Sequence, residues 1–320
     1  MKSKIYKLLL FTFFISISIF SQQRKSTETG YATIDELKMK FYDKDSTATA
    51  VVLYERANYY IDVDHNYDFR TDFYYRIKIL DKSAFKKATI NLNTYKKEII
   101  ENIDAKTYNL RENGTMEIVN IANSDIFEKD LNQNYTQKSF TFPNVREGSI
   151  IEYTYSLFSP YTNIDDWEFQ SDIPKVKSEI DIAILGNYKY NIRIVGFQKL
   201  DKDESDIKRY CVDIPGPVEA GACALLFYGM NNIPAFVEED YMTSKNNFAS
   251  KLVFDLKSYT NTRGVKTDYT ETWKDAERTL RKNFLDKQTS KKGFFRRNLP
   301  ENILENTDEL SKAKNIYNFI

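Results

Sequence analysis

The stretch Val176-Lys-Ser-Glu-Ile180-Asp-Ile182-Ala-Ile184-Leu-Gly-Asn-Tyr188-Lys-Tyr190-Asn-Ile192-Arg-Ile194 decides the fold class. Val176, Ser178, Ile180, Ile182 and Ile184 alternate with Lys177, Glu179 and Asp181, and Tyr188, Tyr190, Ile192 and Ile194 alternate with Lys189, Asn191 and Arg193. A period of two is what a β-strand with one buried and one wet face requires, because successive side chains point to opposite faces. Gly186-Asn187 breaks the run with turn-forming residues, so the two strands are expected to pair as a hairpin. Ile180, Ile182, Ile184, Tyr190 and Ile192 are then expected to face the core.

Further turns lie upstream. Ile103–Leu110 and Met116–Val119 flank Asn113-Gly114, a dipeptide that tolerates the positive φ of a tight hairpin. Phe140-Thr-Phe142 and Ile151–Tyr155 flank a second turn, Arg146-Glu147-Gly148. Between residues 50 and 258 no helical pattern long enough for a crossover separates the strand signals. This predicts a mainly β protein built as an antiparallel β-sandwich, with one large and two smaller units equally compatible. The 23 Tyr and 22 Phe, against 10 Gly and 7 Pro, suit a pleated surface. Their placement at alternating positions assigns most of them to the core rather than to a sugar-binding surface.

Near residue 270 the period changes. Trp273, Ala276, Leu280 and Phe284 share one helical face, with Thr272 as N-cap and Asp275 in the first turn. Thr307 is placed to cap a second helix, whose apolar stripe is Leu310, Ala313, Ile316, Tyr317 and Ile320. That stripe needs a cover, and the absence of a C-cap residue at Ile320 leads to the expectation of a severed multidomain chain.

At the other end, Lys2, Lys4 and Lys7 precede an uncharged run from Leu8 to Phe20 and then Ser21-Gln22-Gln23. This is the order of a secretory signal peptide, with cleavage expected after Ser21. The run is shorter than the roughly 20 apolar residues that span a bilayer, so no membrane anchor is expected after cleavage. No Cys follows it to carry a lipid. Residues 1–21 hold three Lys and no acid, so a balance of 46 basic against 46 acidic residues becomes 43 against 46. A chain so near neutrality offers no basic excess to nucleic acid.

The chemistry-bearing residues are few: one His, His65, and two Cys, Cys211 and Cys223. A thiol nucleophile needs a base within reach, and His65 sits in a polar loop, so no catalytic set and no cofactor are expected. That loop, Asp62-Val-Asp64-His65-Asn66-Tyr67-Asp68, spaces Asp62, Asp64, Asn66 and Asp68 like calcium ligands. Tyr67 stands where the sharp bend wants Gly, and Phe73 where the bidentate acid belongs, so a turn that bonds its own backbone competes with a calcium site. Cys211 and Cys223 flank a stretch with Pro215-Gly216-Pro217 and Gly221. Two readings are open: a disulfide across the loop, or two separate buried thiols. Glu238 and Glu239, read as strand neighbours, point to opposite faces and do not form an acid–base pair.

Phe140 to Tyr155 (FTFPNVREGSIIEYTY) and Asp165 to Pro174 (DDWEFQSDIP), with Phe73 to Leu80 and Asn232 to Glu239, resemble a bacterial domain of unknown function. In exported proteins this domain commonly precedes a transglutaminase-like, papain-like core. The resemblance covers about residues 45–260. It implies a periplasmic, Gram-negative setting, a non-catalytic front half, and catalytic Cys, His and Asp beyond residue 320. The expected organisation is a signal peptide (1–21), a lead (22–44), a β-sandwich-like unit (45–265) and a helical linker opening a transglutaminase-like domain (266–320). The expected partner is that downstream domain in cis. The rival reading is a free-standing binding module for a glycan or a protein strand.

Overall fold

The computed structural model describes residues 32–212, 221–261, 263–300, 303 and 308–319. The expected signal peptide, the Thr307 cap, Ile320 and Pro215-Gly216-Pro217 lie outside the described residues. A short helix, α1 (Ile34–Lys38), precedes β1 (Ala50–Asp62), β2 (Asp68–Ile79), β3 (Thr89–Tyr95), β4 (Ile99–Leu110), β5 (Met116–Asn120), β6 (Phe127–Asn132) and β7 (Tyr135–Thr141). The chain continues through β8 (Ile150–Ser159), β9 (Trp167–Glu168), β10 (Lys175–Leu185), β11 (Tyr188–Val195), β12 (Lys202–Lys208), β13 (Cys223–Ile233), β14 (Lys251–Thr260) and β15 (Lys266–Asp268). It ends in α2 (Trp273–Leu280), a π-helical turn (Arg281–Leu285), α3 (Asp286–Thr289), α4 (Lys292–Asn298) and α5 (Glu309–Phe319).

One eight-stranded sheet, ordered β12-β13-β10-β1-β2-β8-β4-β5, forms the backbone of the molecule. Two smaller sheets cover one of its faces. The first, β11-β14-β15 with β9 beside β14, closes a cluster that includes Ile180, Ile182, Ile184, Trp167, Phe169, Leu252 and Phe254. The second, β3-β7-β6, closes a cluster around Ile77, Leu92, Phe140, Phe142, Ile151 and Tyr153. A mainly β, sandwich-like architecture followed by short helices is therefore present, and both clusters rest on the same large sheet.

The hairpin expected at Gly186-Asn187 is not one. β10 pairs with β1 and β13, whereas β11 pairs with β14 in the other sheet. The reason is the shared core. Ile180, Ile182 and Ile184 reach the first cluster from one side, and Tyr188, Tyr190 and Ile192 pack on it from the other. Pairing side by side would put both apolar rows on the same side and leave the cluster uncovered, so the chain arches between layers instead. Ile194, at the end of its row, is exposed. The Arg146–Gly148 turn behaves alike, joining β7 in the three-stranded sheet to β8 in the eight-stranded one. Asn113-Gly114 does make the expected hairpin: β4 pairs with β5, and Gly114 has a φ of 78°.

The sheet is also not wholly antiparallel, because β1 and β10 run parallel. A buried ion pair fixes their register: Lys175 Nζ donates to Glu55 Oε1 at 2.5 Å and to the Glu168 carbonyl at 2.7 Å. Ser178 donates to the same Glu55 oxygen at 2.6 Å and accepts from Trp167 Nε1 at 3.1 Å. A one-residue slip would leave this carboxylate without its partners inside the core, at a cost of several kcal/mol.

Candidate functional site

Cys211 and Cys223 are joined in a disulfide, with Cα atoms 5.5 Å apart, which decides between the two sequence readings. It ties the chain just after β12 to the first residue of β13. His65 lies on the β1–β2 turn, its ring 4.3 Å from that of Phe158 and its Nδ1 3.4 Å from the Asp68 carboxylate. In the same turn Asp62 accepts from the backbone N–H groups of Asp64 and His65 at 3.0 and 3.2 Å, and from Arg70 at 3.0 Å. The Arg70 guanidinium and those N–H groups outweigh the effect of burial and hold the Asp62 carboxyl below its ordinary range. The turn thus bonds its own backbone, with Asn66 and Tyr67 at positive φ. Among the described residues no group of three or more His, Cys, Asp or Glu side chains is placed to hold a metal ion. Glu238 and Glu239 are exposed and lie beyond the end of β13, not on a strand.

The face of the large sheet turned away from the two small sheets is polar. Strand registry carries Tyr54, Arg56, Asn58 and Tyr60 of β1 across to Arg76, Tyr74, Asp72 and Arg70 of β2, then to Glu152, Thr154 and Ser156 of β8 and to Asp104 and Lys106 of β4. At one end α1 closes this face: Leu37 and Tyr42 pack with Val51, Leu53, Tyr108 and Ile150. Arg76 there bonds Glu36 at 3.0 Å, and the buried Lys78 donates to the Leu37 and Gly148 carbonyls at 2.7 and 2.6 Å. Glu152 is the hub beneath, accepting from Tyr74 at 2.6 Å and Tyr108 at 2.8 Å. Burial first, and then the Glu152 carboxylate, push both phenols well above their ordinary pKa.

Beyond α1 the face opens into a groove of about 590 Å³, lined by Arg56, Asn58, Asp72 and Tyr74 on the floor and Asn102, Asp104 and Lys106 on the wall. A break in the β4–β8 register between Glu101 and Asp104, with Asn102 at a φ of 56°, raises that wall. The charges in the groove are met within the protein. Arg56 pairs with Asp181, Lys106 with Asp104 at 2.7 Å, and Asp72 receives Arg70, Tyr60 and Ser156. Burial opposes the Arg56 charge, but Asp181 holds the guanidinium above its ordinary pKa. Its Nε has no hydrogen-bond partner.

A second surface follows residue 272. Thr272 caps α2 as expected, accepting from the Asp275 N–H at 3.2 Å while Asp275 accepts from the Thr272 N–H at 3.0 Å. The apolar stripes are uncovered: Trp273 is 93% exposed, Tyr317 is 82% exposed, and Leu280, Phe284 and Leu310 are exposed as well. At the start of α5 the Asp308 side chain accepts from the Ser311 N–H at 2.8 Å. No helix among the described residues is long and apolar enough to cross a membrane.

Sequence reasoning missed the groove. Its signal was present as the polar half of the alternation in β1, Tyr54-Glu-Arg56-Ala-Asn58-Tyr-Tyr60, but alternation marks a face as wet without saying that it is concave.

These features define a sandwich-like β domain with mixed strand directions, one polar grooved face and an appended helical segment. Residues 65–214, a little under half of the chain, match the model of the family described as "Domain of Unknown Function with solved-structure structure (DUF3857)". A crystal structure of a protein from Parabacteroides distasonis, described as a "putative protease", superposes with a TM-score of 0.62 at 15% identity. The match covers 85% of this chain and 50% of that one, so the chain spans half the length of this neighbour. At such identity the likeness is one of fold. No curated protein matches the chain.

Proposed function

We propose that this chain is the non-catalytic accessory or scaffold region of an exported, periplasmic protein whose amide or peptide chemistry is carried by a transglutaminase-like domain in cis. The observation that carries this reading is the uncovered apolar face of the helices after residue 272. Side chains such as Leu310 and Phe284 each contribute roughly 1.5–3 kcal/mol when fully buried, a gain that only a partner surface can supply here. The disulfide supports it too, since a thiol engaged with Cys211 or Cys223 is not a nucleophile for acyl transfer. The neighbour's greater length is in keeping with a second domain, and its description as a protease belongs to that protein alone.

Hydrogen exchange provides the test. Amides of α2 and α5 should exchange fast in the chain alone and at least about ten-fold slower in a protein extended by the downstream coding sequence. Equal exchange in both would sink the reading. The chain alone should also leave a generic amide substrate intact. Turnover that disappears in Cys211→Ser or Cys223→Ser would overturn the accessory role.

A further inference from the structure

We propose that the groove across β1, β2, β8 and β4 binds a neutral, hydroxyl-rich oligosaccharide, a property independent of the accessory role above. Its volume of about 590 Å³ lies within the range of ligand sites, roughly 300–1,000 Å³. The ligand class follows from what the groove offers and what it withholds. Ionic ligands are disfavoured, because Arg56 is paired with Asp181, Lys106 with Asp104 and Asp72 with Arg70. A peptide strand cannot add by main-chain pairing, because the groove lies on a sheet face where β2 and β8 already bond each other along their length. Phe73 and Tyr155, whose backbone forms part of the floor, turn their rings to the opposite face, where they stack at 4.6 Å.

What remains is a set of polar groups with spare bonding capacity. Asn58 and Thr154 make no side-chain hydrogen bond to another described residue, and Asn102 spends only its amide nitrogen, on Ser156 at 3.3 Å. Asn58 is a planar amide with two neighbouring polar atoms, the geometry that meets the adjacent hydroxyls of a sugar ring, and Asn102 keeps its carbonyl oxygen for one more. Asn58 on β1 and Asn102 on β4 stand at the two sides of the groove, three strand spacings of about 4.8 Å apart, with Thr154 of β8 between them, so an oligosaccharide laid across the strands meets a polar group at each side and one between. Such a site works by hydrogen bonding in an open groove, which makes it weak and selective for hydroxyl pattern rather than charge.

The test is amide chemical-shift mapping of the chain with chitotetraose, cellotetraose and maltotetraose, each at about 5 mM, beside the uncharged peptide Gly-Ser-Gly-Ser-Gly-Ser, a concentration that reveals dissociation constants in the millimolar range. At least one tetrasaccharide should shift amides around Asn58, Asp104 and Thr154 and leave β6 and β12 unmoved, with no such shifts from the peptide. Asn58→Ala and Asn102→Ala should each weaken that binding about five-fold, or about 1 kcal/mol, at an unchanged melting temperature. Asn58→Gln, which keeps the amide, serves if the alanine variant folds poorly, and should weaken binding by displacing that amide. The proposal is overturned if none of the three sugars shifts these amides, if the peptide shifts them equally, or if the variants bind as the parent does.

Discussion

Lys78 is fully buried and donates to the carbonyls of Leu37 and Gly148, so it pins the N-terminal segment to the β2–β8 end of the sheet. Burial disfavours its charge and pushes its pKa down to about 8. An unfolded Lys keeps its proton up to about pH 10.4, so between about 8 and 10.4 the unfolded chain binds more protons than the folded one, and stability rises with pH. Below about pH 8 both states are charged and the slope vanishes. Urea denaturation should therefore find this group contributing about 2 kcal/mol more at about pH 9.5 than at about pH 7, a rise that Lys78→Met abolishes. An identical pH slope in the two proteins would refute the assignment. At Glu55 the issue is pairing. Glu55→Gln or Lys175→Met leaves one buried charge without its partner and should cost about 3–5 kcal/mol, whereas the double replacement Glu55→Leu with Lys175→Met should recover most of that loss. Additive losses in denaturant titrations would show that the two side chains act separately.

At the scale of elements, the local signals were readable and the long-range ones were not. Asn113-Gly114 decides its own hairpin, because the positive φ that Gly114 adopts is a property of those two residues. Thr272 and Asp275 likewise fix the start of α2 within one turn. Gly186-Asn187 carries the same local signal but joins two layers, because the choice is made by a core to which Trp167 and Phe254 also contribute. The strand periodicity therefore identified the inward-facing residues of β10 and failed to identify the strand beside it. Concavity of the polar face failed to show for a related reason: it depends on the register break at Glu101–Asp104, which appears only when β4 is set against β8. The disulfide is an element-scale constraint as well, holding exposed β12 to β13 at the sheet edge. Reduction should lower global stability by about 3 kcal/mol in the chain-entropy description. It should speed amide exchange in β12 more than in β1, and uniform acceleration of both strands would argue against a local clamp.

For the molecule as a whole, the question is whether the two apolar clusters unfold together. They lie under different small sheets, yet β1 and β2 contribute to both: Ala57 and Phe69 to one, Val52 and Ile77 to the other. Glu55 sits on β1 between them, paired with Lys175 of the neighbouring β10. A continuous sheet whose central strands serve both cores transmits the loss of either, so a single cooperative transition is expected. The two tryptophans make this measurable, because Trp167 is 6% exposed within the first cluster while Trp273 is 93% exposed on α2. In Trp273→Phe the remaining fluorescence should follow the whole β unit, and in Trp167→Phe it should be that of a solvated indole throughout. On the Trp273→Phe background, Ile182→Ala empties space in the first cluster and Ile151→Ala in the second, and each should cost about 2–5 kcal/mol. The decisive observation is the second. If Ile151→Ala lowers the midpoint seen by Trp167, which belongs to the other cluster, the large sheet couples both halves into one folding unit. A Trp167 transition indifferent to Ile151→Ala would divide the β region into two independent units resting on a shared sheet.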